Sequence, residues 1–202
     1  MSYRRLLWLV VILLVLAVYF PVNRLIYGGI QTQLPLDRSL PLFPPAVVPY
    51  LFGDILFVGF PVWAAVKAKP IEFEAYAISI ILAAVTSYII YLVFPTYITR
   101  PEINPTDIFS RMLLTVYQTD RAANTAPSGH TFYSVLSLLY LARWRPNYRL
   151  AGIIVTFIIL ASTLLTKQHY IVDIISGIAL AVLAYLTGRY IQQRWNMKFA
   201  SG

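Results

Sequence analysis

The sequence predicts an all-α integral membrane bundle of six transmembrane helices, and three observations carry that expectation. Of 202 residues, 59% are hydrophobic and only 12% are charged, against roughly 25% charged in an ordinary soluble domain. The apolar residues are gathered into six long runs, most of them near the ~20 helical residues that a bilayer core requires. The breaks between runs hold prolines and cations, and no run shows the strict alternation of a barrel strand. So much apolar surface could not be hidden in a water-soluble globule, and a disordered tail or a collagen-like rod is excluded by the same composition. The expected organisation is one membrane domain over residues 1–202.

The first run, Leu6 to Tyr27, follows Arg4-Arg5 and contains Val15-x-Ala17, the outline of a cleavable signal. It continues through Tyr19, Phe20 and Val22 without a polar break, so a retained anchor is expected. From Gly28 to Pro45 the prolines at 35, 41, 44 and 45 forbid a continuous helix, leaving an irregular loop with a short interfacial piece. The second run, Ala46 to Val66, ends at Lys67-Ala68-Lys69-Pro70, and the third extends from Ile71 to Phe94. Pro95, Pro101 and Pro105 punctuate the long segment that follows. The fourth run, Ser128 to Ala142, stops at Arg143-Trp144-Arg145-Pro146-Asn147; the fifth covers Leu150 to Thr166 and the sixth His169 to Tyr190.

Charge placement gives an orientation. The net charge is +8, from 16 Lys and Arg against 8 Asp and Glu. With the amino terminus inside, ten cations, Arg4 through Lys198, fall on the cytoplasmic side and six on the other. That is a positive-inside bias, and an even number of spans puts both termini in the cytoplasm. The cations are thereby accounted for by the bilayer, and no nucleic-acid partner is called for.

With no cysteine and two histidines, disulfides, thiolate nucleophiles and zinc–cysteine sites are excluded. Both histidines fall on the non-cytoplasmic side. Pro127-Ser128-Gly129-His130 opens a helix, whose unpaired backbone N–H groups suit an anion such as phosphate. His130 is placed to donate a proton to a leaving oxygen. In His169-x-x-x-Asp173 the i, i+4 spacing puts the carboxylate where it can orient the imidazole, leaving the other nitrogen free to attack. A buried carboxylate in a membrane is costly and marks function by default. Arg100, at the end of the third run, offers a guanidinium for phosphoryl oxygens, and Lys167, Arg121 and Arg111 are further cations on that side. Asp54, inside the second run, has three readings: a headgroup contact, a partner for a loop cation, or a protonated group bonded between helices. The 15 tyrosines and 4 tryptophans read as interfacial anchors.

In order, Arg100-Pro101, Pro127-Ser128-Gly129-His130 and Ser162-x6-His169-x3-Asp173 resemble the signatures of the type 2 phosphatidic acid phosphatase family. The family pattern is K-x6-R-P, P-S-G-H and S-R-x5-H-x3-D, on a six-helix membrane bundle related to vanadium haloperoxidases. The resemblance implies a catalytic core over residues 94–177, His169 as the nucleophile forming a phosphohistidine, and Asp173 orienting it. It implies His130 as general acid and base, and Arg100, Ser128 and Gly129 around the phosphoryl oxygens. It implies no metal or other cofactor, and a lipid phosphate substrate held in the bilayer. Two family cations are missing, since Val93 and Thr163 stand in their places. Lys167 is a candidate to replace one, and Arg121 or Arg111 the other. Phe94-Pro95-Thr96, Asp120-x3-Asn124 and Gln168-His169-Tyr170-x-x-Asp173 are more similar to the inositol phosphorylceramide synthase-like branch, which moves a phospho-headgroup between lipids. Asp120, Asn124, Tyr170 and Asp54 are accordingly candidate substrate contacts. The expected activity is a lipid phosphate or pyrophosphate phosphatase, with headgroup transfer to an alcohol as the alternative and a non-catalytic lipid-binding or transport bundle as a third.

Overall fold

The computed structural model describes residues 2–25 and 28–200, with side chains as far as residue 195. Tyr27, the expected end of the first run, and the Lys198 side chain lie outside the described residues. In chain order the elements are α1 (Tyr3–Ala17), α2 (Tyr19–Leu25), β1 (Ile30–Gln31), α3 (Pro35–Ser39), α4 (Val47–Lys67), α5 (Pro70–Val93), β2 (Thr96–Tyr97), α6 (Ile108–Thr119), α7 (Gly129–Trp144), α8 (Arg149–Leu165) and α9 (Ile171–Ala200).

Among the described residues, five helical stretches are long and apolar enough to cross a membrane: Tyr3–Leu25, Pro44–Lys67, Pro70–Val93, Pro146–Leu165 and Ile171–Trp195. An all-α membrane bundle fits this architecture. The expected fourth span is the exception. Helix α7 has 16 residues, and at 1.5 Å per residue it rises only ~24 Å, short of the roughly 30 Å hydrocarbon core. The first run is also not one smooth helix. It breaks at Val18, between α1 and α2, because Pro21 has no N–H to return to the Ala17 carbonyl.

Helix α7 packs against α9, α8, α5 and α4, while α5 lies along α9 and α1. The core between them holds Phe73, Tyr76, Phe132, Leu136 and Tyr140. Small residues let backbones approach, as membrane helices require: a Cβ on Gly188 would lie 2.2 Å from Ser79 Oγ. Ser79 also shares a 2.8 Å hydrogen bond with Tyr140. Outward faces carry exposed Leu14, Ile55, Phe157 and Leu183, an inverted pattern suited to lipid.

At one end of the bundle the basic residues are pinned to the helices around them. Arg4 Nε pairs with Glu74 at 2.8 Å, Arg5 donates to the Ala65 and Ala68 carbonyls, and Arg143 pairs with Glu72 at 3.2 Å. The opposite end gathers the starts of α7 and α9. There the proline-rich segment after α2 is irregular as expected, with the short α3 and a 3-10 turn at Pro44–Ala46. It also contributes β1, which pairs in parallel with β2, Ile30 beside Thr96 and Gln31 beside Tyr97. Gly29 makes this approach possible: its φ is +121° and a Cβ there would fall 2.1 Å from the Pro95 oxygen.

Candidate active site

The loop before α7 is held from three sides. Thr96 Oγ1 accepts hydrogen bonds from Thr125 N at 3.0 Å and Ala126 N at 2.9 Å. Tyr91 donates its hydroxyl to the Pro127 carbonyl at 2.6 Å. Ser128 N donates to the Asp173 carbonyl at 2.9 Å, which ties the start of α7 to the first turn of α9. Ser128 then caps α7, its side chain accepting from Thr131 N at 3.3 Å. Gly129 faces open space, with nothing within 4 Å of where a Cβ would be.

The two histidines meet. Their ring centroids are 6.2 Å apart and tilted by 59°, with side-chain exposures of 9% for His130 and 10% for His169. His169 lies just ahead of α9, whose first residue is Ile171, so it is positioned by a turn rather than by helical periodicity. Lys167 adopts a left-handed φ of 53°, which reverses the chain after α8 and lets Gln168 N and His169 N both donate to the Thr163 carbonyl, at 2.9 and 3.2 Å. His169 Nδ1 lies 3.0 Å from the Thr125 carbonyl. A carbonyl only accepts, so Nδ1 carries the hydrogen and Nε2 keeps its lone pair.

Asp173 is the more distant partner of Nδ1, with Oδ2 at 3.5 Å. Its carboxylate is fully buried and each of its oxygens accepts from another donor. Oδ2 accepts from Tyr170 N at 2.8 Å, and Oδ1 accepts from Thr32 Oγ1 at 2.8 Å. The orientation expected from Asp173 alone is thus shared with a backbone oxygen that no residue-type pattern could show. Asp37 completes the same helix start, accepting from Ile171 N at 2.9 Å and from Leu34 N at 2.7 Å.

Arg100 is buried at the same end, its guanidinium over the Tyr117 ring at 4.7 Å. Nη1 donates to the Tyr117 carbonyl at 3.2 Å and the Asp120 carbonyl at 2.7 Å, where the negative end of the α6 dipole favours a cation. Nη2 donates to Gln168 Oε1, while the buried Nε has no hydrogen-bond partner among the described residues. Helix α6 itself was not anticipated among the prolines. Asp107 starts it, accepting from Phe109 N and Ser110 N, and Leu113 and Val116 bury its apolar face against Val47 and Tyr50.

The remaining candidates separate into groups. Asp120 is beside Arg100, with Oδ2 4.0 Å from Nη2, and accepts from the Tyr19 hydroxyl at 2.8 Å. Burial holds its carboxyl above the usual aspartate range, against the opposing pull of Tyr19 and Arg100. Asp54 lies next to His130, Oδ1 3.0 Å from Nε2. The N–H is not aimed along that line, making this a charge contact rather than an aligned hydrogen bond. Tyr170 accepts from Gln31 Nε2 at 2.7 Å and from Thr99 N at 3.3 Å.

Three other cations donate to backbone carbonyls, and Lys167 also lines the cleft that Arg100 borders. Lys167 Nζ donates to the Asp37 and Leu40 carbonyls at 3.1 and 2.6 Å, and its pKa is lowered by burial. Arg121 donates to the Arg24 carbonyl at 2.9 Å, and Arg111 to the Pro105 carbonyl at 3.3 Å. Asn124, buried with φ +58°, takes part mainly through its backbone, N donating to the Thr96 carbonyl at 2.7 Å. Val93 is exposed at the end of α5, and Thr163 is buried with its hydroxyl on the Leu160 carbonyl.

Beside His169, a cleft of about 590 Å³ is lined by Gln31, Gln33, Arg38, Thr99, Arg100 and Tyr170 among others. Among the described residues no cluster of three or more His, Asp or Glu is arranged to hold a metal ion.

A family model described as the PAP2 superfamily matches residues 33–187. The chain belongs to the PAP2 superfamily. The match covers every histidine, arginine and carboxylate placed in the site above, and membership brings with it phosphatase or phosphotransferase chemistry on phosphoric esters. No curated protein and no solved structure matches the chain.

Proposed function

We propose that this superfamily member is a membrane-embedded, metal-independent lipid phosphate or pyrophosphate phosphatase that works through a phosphohistidine. The observation that carries the reading is the pair of rings 6.2 Å apart, with His169 Nδ1 engaged by Thr125 and Nε2 left as a nucleophile. Rings this close can both reach one tetrahedral anion lodged beside them, His169 attacking phosphorus from ~3–3.5 Å and His130 hydrogen-bonded to an ester oxygen at ~2.7–3.0 Å.

In the first step, His169 Nε2 forms a bond to phosphorus as the bond to the lipid oxygen breaks, and His130 gives that oxygen its proton. In the second, His130 takes a proton from water, whose oxygen attacks phosphorus as the P–N bond breaks. Arg100, Ser128 and Gly129 surround the phosphoryl oxygens, where charge builds in the transition state. The proposed setting has α7 as a sixth span, both termini cytoplasmic and the site on the non-cytoplasmic side. One domain over residues 1–202 with its core at 94–177 goes with this reading.

The cleft favours a second reading. In-line displacement puts the entering nitrogen and the leaving oxygen on one axis, His169 to His130. A headgroup transfer keeps one substituent on phosphorus throughout, and the cleft lined by Arg100 and Tyr170 offers a place to hold it. Only a diester has such a group, which fits the headgroup-transferring branch with a lipid or polyol hydroxyl replacing water.

A panel of lipid phosphates, diphosphates and phosphodiesters, offered to wild type and His169→Ala with every product identified, tests both. Release of inorganic phosphate from monoesters supports the phosphatase. Alcohol-dependent diester exchange without phosphate release supports the transferase. Unchanged turnover by His169→Ala overturns both, and no turnover of any of the panel by wild type leaves the lipid-binding bundle.

A further inference from the structure

Helix α4 presents one face to His130. Tyr50, Gly53, Asp54 and Phe57 stand at i, i+3, i+4 and i+7, the spacing of a single helical stripe. Tyr50 stacks on the imidazole with centroids 4.2 Å apart and an interplanar angle of 27°, and Phe57 approaches it at 4.8 Å. A Cβ on Gly53 would lie 2.9 Å from His130 Cδ2 and 3.6 Å from Nε2. The Cδ2–Nε2 edge of the ring therefore rests on α4, where Asp54 Oδ1 meets Nε2 at 3.0 Å. Nδ1, on the other edge, has no protein partner among the described residues.

We infer that Asp54 is a positioning residue for the general acid: its carboxylate sets a negative charge 3.0 Å from the buried Nε2 edge of His130, so that Nδ1 is the nitrogen that exchanges the proton with the reacting oxygen. This rests on the phosphoryl-transfer reading above and deepens it. In the acid form both ring nitrogens carry hydrogens, Nδ1–H toward the leaving oxygen, and the charge of Asp54 beside Nε2 stabilises the imidazolium. As the P–O bond breaks, the Nδ1 proton moves to that oxygen, and the neutral ring keeps its remaining hydrogen on the Asp54 side. The bare Nδ1 is then poised to take the proton of the incoming water or alcohol. The site thus contains two Asp–His pairs of different character. Asp173 is sealed at 0% exposure, whereas the Asp54 side chain is 44% exposed.

The readout is leaving-group dependence, which a general loss of structure does not imitate. Full-length protein in detergent micelles is assayed on a long-chain alkyl phosphate, whose alkoxide needs a proton to depart, and on 4-nitrophenyl phosphate, whose phenolate does not. Asp54→Asn keeps the shape and removes the charge. The expected result is a kcat on the alkyl ester lowered by about 10- to 100-fold, part of the roughly 10²–10⁴ that the general acid itself supplies. The loss on the aryl ester is far smaller, and Asp54→Glu regains part of the alkyl activity.

Gly53→Ala, whose methyl displaces the ring, shows the same selectivity. Equal losses on both esters, or none on either, while His169→Ala is inactive on both, overturn the role of Asp54 alone. Activity of His169→Ala on both esters overturns the phosphoryl-transfer reading and this inference with it.

Discussion

Gly177 is the clearest place to disturb the site without touching a reacting group. It lies on α9 one turn beyond Asp173, and a Cβ there would sit 2.8 Å from Thr131 Cβ, 2.9 Å from the Ser128 carbonyl oxygen and 3.0 Å from Thr131 Cγ2. Two of those neighbours are rigid, a backbone oxygen and a branched Cβ, so no flexible side chain can swing away. Reaching an ordinary contact of 3.4 Å requires α7 and α9 to part by about 0.6 Å at the level of the histidines. Overpacking of this kind costs about 1–3 kcal/mol, and a misplacement near 1 Å costs about 10²-fold in rate.

Gly177→Ala is therefore expected to melt at a lower temperature and to lose about 10- to 100-fold in kcat on the preferred lipid phosphate. Gly59→Ala on α4, where nothing lies within 4 Å, is the matched control and keeps its rate. The assay is product release in micelles alongside a thermal melt of both variants. Wild-type activity and melting of Gly177→Ala would refute the claim that the contact between α7 and α9 sets the distance between the histidines.

Other outcomes follow from the same geometry. Rapid quenching of a reaction with ³²P-labelled substrate is expected to trap acid-labile protein-bound phosphate in wild type and none in His169→Ala. Lys167→Met loses two hydrogen bonds to the 37–40 segment, at about 1.5–3 kcal/mol each for a charged donor, and should lower the melting temperature more than it raises KM for phosphate. Asp120 has a raised pKa from burial, so the folded state holds its proton to higher pH than the unfolded chain. Stability from this group is present in acid and falls as pH rises from the ordinary aspartate range through the raised value. The melting temperature of wild type relative to Asp120→Asn is expected to fall across that window, and a constant difference would count against it.

Much of the site was legible because its chemistry depends on residue type. Arg100, Ser128, His130, His169 and Asp173 are sparse polar residues in an apolar chain, and loop order brings them to one end. What escaped has physical reasons. Thr125 acts through a carbonyl, which every residue owns, and Thr32 and Asp37 reach α9 across more than a hundred positions of chain. Helix α6 was hidden behind the prolines that precede it, though Asp107 followed by apolar residues at helical spacing announces it. Asp54 was visible as a costly carboxylate, but its partner depends on the rotation of α4 against α7, which hydropathy does not encode. Lys167 was read by its charge alone. The backbone around it, turned left-handed, sends the ammonium to the Asp37 and Leu40 carbonyls at the rim of the cleft.

Asp37 and Thr32 have an implication for dissecting the chain. They supply acceptors and donors to the very turn that carries His169, from a segment that precedes the second long helix. A fragment cut to the three signatures would strand Ile171 N and one oxygen of Asp173 in an apolar setting without mates. The smallest working unit must therefore begin upstream of residue 32, so that the front of the polypeptide is a strut of the nucleophile's own helix rather than a detachable anchor.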